Sequence, residues 1–504
     1  MGYNTLPYLF IFLPLFLIVY QLSPRRYRRY VLLAFSLIYF FLWSRQLIIY
    51  LLLTAAGVWG IGLLIEKAGD RKGLRRLLAT TGIGGLFAIL LYLKYTNFFI
   101  RIIDQASGAS LPEVRILAPI GVSFYTLEAV GYLLEVYWGR INADRSLFSV
   151  TLFLSFFPQT MEGPIARYQD TASQLNAGNP VSEQQIFDGM CRIIWGMIKK
   201  LVIADRLSIV VNELYHNHAA YDGIMIPIAA VSYAVQLYME FSGVMDIVIG
   251  SAGMFGIRLP ENFRQPFFSQ SASEFWRRWH ITLGVWLKTY VFYPVTTSEM
   301  TMRWNRFARK KFGRYITKIG TSFLALTPVW LFNGLWHGGA FNYIFYGLYY
   351  LALLMLEVIL EPVKKAFYKK TGFDKNGRAF TLIRILRTWL IIFTGELFFR
   401  AEGFMAGLSM FISGFTNIGI SRFFDGSLLG LGLDKADWFA VIAGTIVVFI
   451  ADILKEKQID LKAYLAKRNV VIRFGAYYAL IFGLIIFGAY GAGYRPVDLI
   501  YAGF

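Results

Sequence analysis

Residues 46–65, 319–356 and 474–494 of this chain carry no Asp, Glu, Lys or Arg. A helix needs about 20 apolar residues to cross the hydrocarbon of a bilayer. Each stretch is therefore long enough for one span, and 319–356 is long enough for two. The composition agrees: 57% of the 504 residues are hydrophobic and only 16% charged, against about 25% charged in soluble proteins. Further candidate spans lie near 5–22, 31–44, 77–95, 117–138, 147–160, 193–211, 224–240, 379–399 and 437–454. This predicts an all-α polytopic integral membrane protein with about 11–13 membrane segments, some short or re-entrant. No polar linker divides the chain, so a single membrane domain over 1–504 is expected.

The net charge of +19 is not read as a nucleic-acid signal. The basic residues gather in short stretches beside apolar runs: 23–30, 66–76, 303–318, 364–387 and 455–468. That pattern places all five at the cytoplasmic face, where anionic headgroups attract them, so the expected non-protein partners are membrane lipids and no nucleic acid. The first charges, Arg25, Arg26, Arg28 and Arg29, follow the first apolar run rather than precede it. The run is thus expected to be a retained span and not a cleaved leader, with the N-terminus outside; the parity of the later spans puts the C-terminus outside too. The segment 275–297 has basic residues at both ends and cannot be a full span. It is expected to be a re-entrant or tilted helix, and irregular backbone at membrane depth survives only inside protein or along a water-filled cavity.

No P-loop, dinucleotide fingerprint, H-E-x-x-H or G-x-S-x-G occurs. The one cysteine, Cys191, excludes an intramolecular disulfide and a cysteine metal cluster and sits in an apolar run as packing. Chemistry must then come from four histidines. His337 lies in Leu335-Trp336-His337-Gly338-Gly339, within the long uncharged stretch. An imidazole there can serve as general base for a hydroxyl nucleophile, or can simply bond a carbonyl in helix packing. Asn333, one helical turn earlier, shares its face and could orient the ring. His280 lies in Phe275-Trp276-Arg277-Arg278-Trp279-His280. It could bind the donor or polarise its carbonyl, with Arg277 and Arg278 clamping phosphates; the alternative is an interfacial belt of Trp and Arg. His216 and His218, with Asp222 nearby, read as a polar loop rather than a metal site. Glu240, Asp246, Asn262 and Arg264 read first as an ion-paired wall.

Several of these segments, taken together, resemble the membrane-bound O-acyltransferase family. They are Phe157-Pro158-Gln159 with Gly163-Pro164-Ile165 and Arg167-Tyr168; Gly196-Met197-Ile198-Lys199-Lys200 through Asp205-Arg206; Glu240 to Asp246; Met254-Phe255-Gly256-Ile257-Arg258-Leu259-Pro260-Glu261-Asn262-Phe263; Glu274 to Leu283; Trp336-His337-Gly338; and Phe398-Phe399-Arg400-Ala401-Glu402. They run in family order over about 120–402. Glu162, where a small residue is usual, and Glu240, where Asp is common, depart from the pattern. The resemblance is nearest to the bacterial branch that acetylates alginate and other exopolysaccharides, with the branch that moves D-alanine toward teichoic acid a near relative.

The resemblance implies a helical bundle around a tunnel in the bacterial cytoplasmic membrane. His337 would be the catalytic histidine and His280 the second functional one. Trp276, Arg277, Arg278, Trp279, Trp336, Asn333, Glu240 and Asn262 complete the candidate site, with no metal. No bound cofactor is expected. The donor would be an acyl thioester, acetyl-CoA or an acyl carrier, and the acceptor a polysaccharide hydroxyl or a separate extracytoplasmic SGNH-type acyltransferase acting as a relay. A D-alanyl carrier donor, a polysaccharide or small-molecule transporter, and a scaffold for an export complex are the competing readings; a transporter predicts internal repeats, and the sequence has none.

Overall fold

The computed structural model describes residues 2–221, 223–372, 374, 377–419, 424–490 and 494. Among them every regular element is helical. Five helical stretches are long and apolar enough to cross a membrane: Arg25–Lys67, Lys72–Ser107, Phe341–Thr371, Lys435–Glu456 and Val470–Phe487, with Tyr8–Leu22 and Phe404–Thr416 shorter but apolar. The first of these bends at a short 3-10 turn, Arg45–Leu47, between the helices Arg25–Ser44 and Ile48–Lys67. Other expected spans are broken or carry buried polar groups. The 147–160 run becomes Leu147–Ser155 and Phe157–Thr160, whereas 193–211 stays helical throughout, Glu183–Met197 passing through a wide-turn stretch, Ile198–Ala204, into Asp205–His216. Asp222 and residues 491–493 fall outside the described residues.

The chain forms two compact units. Among the described residues, one holds the chain up to Lys200 together with Phe241–Glu261; the other holds Leu201–Glu240 and the chain from Asn262 to Tyr490. The first is organised by aromatic packing. Phe16 stacks on Phe35 at 4.4 Å and meets Phe255 at 4.3 Å, while the buried Tyr3 and Tyr8 hydroxyls donate to Phe157 O (2.6 Å) and Ser251 Oγ (3.0 Å). A capping box of Ser182 and Gln185 starts the helix Glu183–Met197. That helix crosses the later turns of Met225–Met254 backbone to backbone: a Cβ on Gly196 would lie 2.4 Å from Gly243 O. Small residues permit such approach where apolar burial cannot drive association. Beside the crossing, Asp246 accepts from Arg192 (3.0 Å) and Lys199 (2.7 Å), and Arg192 reaches Glu261.

The second unit contains the uncharged 319–356 stretch, folded as a helical hairpin. We call Gly313–His337 the histidine helix and Phe341–Thr371 the return helix. The reversal is tight because the two helices touch at glycine. A Cβ on Gly334 would lie 2.3 Å from Tyr343 O, and one on Gly347 2.3 Å from Trp330 O. A third helix, Arg378–Arg400, lies against the return helix: the Tyr349 hydroxyl donates to Ile391 O (2.9 Å) and Phe345 packs on Phe398 at 4.5 Å.

The 275–297 segment is not one helix. It runs as Ala272–Arg278, Ile281–Leu287, a wide-turn stretch Lys288–Phe292 and Tyr293–Thr296. It then passes into Glu299–Lys311, whose last turn carries Arg309, Lys310 and Lys311. The charge pattern predicts one re-entrant or tilted helix; the segment is instead a series of short helices whose first break falls at His280.

Candidate active site

His280 joins Ala272–Arg278 to Ile281–Leu287 in the left-handed region, at φ 44 and ψ 51. Few residues other than glycine rest there; His, Asn and Asp are the least unwilling. Asn262 holds the turn. Its carbonyl accepts the Ile281 N–H (3.0 Å), and its side-chain Oδ1 accepts both the Thr282 N–H and the Thr282 hydroxyl at 3.0 Å. Because a backbone N–H points at it, this atom is the amide oxygen. His280 Nδ1, 3.3 Å away, is then the ring nitrogen that donates to it. The imidazole is 3% exposed.

His337 ends the histidine helix, where Gly338 and Gly339 begin the reversal. It is 5% exposed and enclosed by rings from the two neighbouring helices. Phe399 approaches edge-on at 4.8 Å and Tyr346 at 6.0 Å, with interplanar angles of 80° and 84°. Tyr346 also donates its hydroxyl to the buried carboxylate of Glu396 (3.1 Å).

The two histidines, far apart in sequence, line one cavity of about 290 Å³. Its wall includes Trp276, Arg277, Trp279, Gly284, Lys288, Leu326, Val329, Trp330, Asn333 and Leu354. Trp276 ties its two sides together, meeting Trp330 at 5.0 Å and Tyr350 at 4.8 Å. Asn333 is buried, and its Oδ1 has no hydrogen-bond partner among the described residues. The lining is mostly apolar with a few polar groups, the usual make-up of a small-molecule site.

The other candidates take different places. Arg278 forms ion pairs with Glu274 (2.8 Å) and Glu456 (2.7 Å) and donates to Gln265 O. Trp336 is buried against Phe332. Glu240 is fully buried on the Met225–Met254 helix and is not a wall residue of the cavity. Asp246 belongs to the ion-pair network of the first unit. His216 pairs with Glu402, and His218 Nδ1 lies 3.2 Å from Tyr215 O; no group of three metal-type ligands occurs among the described residues.

Lys288, Trp330 and Leu354 on the wall, and Tyr346, Glu396 and Phe399 around His337, were not singled out as site residues from sequence. Glu396 had a readable signal: it is the one charged residue between Arg387 and Arg400, and an ionisable group inside an apolar helix is a functional candidate by default.

Comparison with known proteins identifies the family. The probable alginate O-acetylase of Pseudomonas putida is 34% identical over 82% of this chain and 79% of its own length. The peptidoglycan O-acetyltransferase of Helicobacter pylori is 27% identical over 81% of this chain and 78% of its own. A teichoic acid D-alanyltransferase of Bacillus subtilis is more distant, 26% identical over 58% of this chain and 71% of its own. A family model matches residues 140–400, which include both cavity histidines, and the chain belongs to the membrane-bound O-acyltransferase family, MBOAT.

Proposed function

We propose that this protein transfers an acetyl group from a cytoplasmic thioester to a hydroxyl on the far side of the bacterial cytoplasmic membrane, with His337 as general base. The observation that carries the reading is that His337 and His280 face one cavity whose wall also bears Arg277 and Lys288. About 290 Å³ suits the acyl end and thioester arm of a donor, not its nucleotide. The cationic residues favour a donor whose phosphates stay on their side, and acetyl-CoA fits that description.

In this reading the acceptor hydroxyl donates its proton to His337 while its oxygen attacks the thioester carbonyl. The tetrahedral adduct collapses by breaking the C–S bond, and the departing thiolate takes the proton back from the imidazolium. Base catalysis of this kind contributes roughly 10²–10⁴-fold. His280 orients the donor near the carbonyl. The acceptor is a polysaccharide hydroxyl, or the hydroxyl of a relay acyltransferase outside the cell; relatives that acetylate alginate and peptidoglycan favour a glycan as the final product. The five basic clusters face the cytoplasm and both termini face outward.

The test uses the purified full-length protein in lipid nanodiscs with radiolabelled acetyl-CoA and a soluble glycan. Thioester turnover that His337→Ala abolishes at unchanged thermal stability supports the reading. Unchanged turnover removes His337 as base. Turnover only with a carrier-linked thioester would replace acetyl-CoA as donor.

A further inference from the structure

We propose that Tyr346 and Glu396 are a positioning pair for His337, the carboxylate anchoring a phenol whose ring, together with Phe399, fixes the plane of the imidazole. This rests on the reading of His337 as the base.

Glu396 is 2% exposed, on a helix otherwise uncharged from Thr388 to Phe399. Burying a carboxylate in such surroundings is costly, and a Leu or Met would fill the space without that cost. One carboxylate oxygen accepts the Tyr346 hydroxyl at 3.1 Å; the other has no hydrogen-bond partner among the described residues. The group therefore does little for stability that packing would not do better. What it does is hold Tyr346.

The placement of Tyr346 gives that hold a purpose. Its ring is edge-on to His337 at 6.0 Å, meets Phe399 at 4.9 Å and lies against the cavity-lining Trp276 at 6.1 Å. Phe399 follows Glu396 by three residues and so shares its helix face. One face of one helix thus delivers both a ring onto His337 and an anchor for the second ring. The return helix contributes Tyr346, and the histidine helix contributes the imidazole. Three helices converge on one ring, and the Tyr346–Glu396 hydrogen bond registers two of them. A base displaced by about 1 Å loses on the order of 10²-fold in rate, so locked supporting rotamers are what such a site needs.

The pair predicts a loss in turnover without a loss in donor binding. In nanodiscs, Tyr346→Phe, which keeps the ring and deletes the anchor, should lower kcat about tenfold or more at little-changed KM for acetyl-CoA. Glu396→Leu should match it. Glu396→Gln retains an oxygen that accepts the phenol proton and should recover most of the rate. The double variant Tyr346→Phe/Glu396→Leu should be no slower than either single one, and in a His337→Ala background Tyr346→Phe should have no further effect.

A merely structural pair would lower thermal stability and yield while leaving the kcat of folded protein unchanged. That result, or effects confined to KM, overturns the proposal. If Tyr346→Phe does not fold, the contrast between Glu396→Leu and Glu396→Gln carries the same decision. Wild-type turnover in His337→Ala would sink the base assignment. Abolished turnover in His337→Ala with unchanged kcat in Tyr346→Phe and Glu396→Leu would remove the positioning role alone.

Discussion

Asn262 Oδ1 accepts both the backbone N–H and the hydroxyl of Thr282 at 3.0 Å and lies 3.3 Å from His280 Nδ1. One amide oxygen thereby stabilises a left-handed turn and accepts from the ring of the histidine placed there.

Replacing Asn262 tests this directly. Asn262→Ala leaves buried donors without their acceptor, each worth about 1–3 kcal/mol when unsatisfied. A loss of about 2–4 kcal/mol in stability is expected, together with a fall in thioester turnover. Asn262→Asp keeps the acceptor oxygen and should retain more of both. Thermal unfolding in detergent and turnover in nanodiscs read the two effects. Equal stability of Asn262→Ala and wild type would show that the turn does not depend on this oxygen.

The family and the helical class were legible in the sequence, because each depends on local pattern, and the two histidines that line the cavity stood out as candidates. Charge-free runs announce helices, and four histidines in a long apolar chain draw attention to themselves. That 275–297 is not a simple span was legible too, since basic residues stand at both its ends; the place of its break, at His280, was not. What was not legible was partnership at a distance. Arg277 and Arg278 are adjacent and chemically alike, yet Arg277 lines the cavity while Arg278 is held by Glu274 and Glu456. Glu456 is remote in sequence, so no local spacing could separate the two. Glu396 and Tyr346 are likewise joined only by the packing of two helices. One expected span, 147–160, is interrupted between Ser155 and Phe157, where apolar composition persists across a helix break.

The hairpin that carries His337 should depend on two glycines for steric reasons. Gly334→Val and Gly347→Val each force a side chain against a carbonyl oxygen that would lie 2.3 Å from its Cβ. Backbone cannot yield as a flexible side chain does, and overpacking of this kind costs about 1–3 kcal/mol or more. Loss of folded protein or a sharply lower Tm is expected. Gly475, with nothing within 4 Å of a built Cβ, supplies the control: Gly475→Ala should be neutral or stabilising by up to about 1 kcal/mol. Similar Tm values for all three variants would refute the close-packing account.

Two ion pairs should behave very differently. Asp246 accepts from Lys199, with side-chain exposures of 14% and 5%, and from Arg192. Asp246→Ala strips a carboxylate from two cations in a desolvated setting, and breaking a buried pair costs about 3–5 kcal/mol. Lys318 pairs with Glu361 at the surface, with exposures of 54% and 36%. Lys318→Ala should lower stability only slightly, and less in high salt. Unfolding midpoints of both variants at low and high ionic strength give the comparison. Equal costs would mean that burial does not govern these pairs.

The cavity wall makes a prediction about donor choice. Leu326, Val329 and Leu354 line the space shared by His280 and His337, and all three side chains are aliphatic. If acyl length is limited by this wall, Leu354→Ala should enlarge the space and raise turnover of propionyl- and butyryl-CoA relative to acetyl-CoA. A methylene in an apolar pocket is worth about 1–3 kcal/mol, so the ratio should move by about tenfold or more. Val329→Trp should do the reverse, filling the space and raising KM for every thioester while the fold persists. Competition between acyl-CoA donors of increasing length, measured on each nanodisc-embedded variant, reads the change. A selectivity ratio that stays fixed in both variants would show that acyl length is measured elsewhere than between these two histidines.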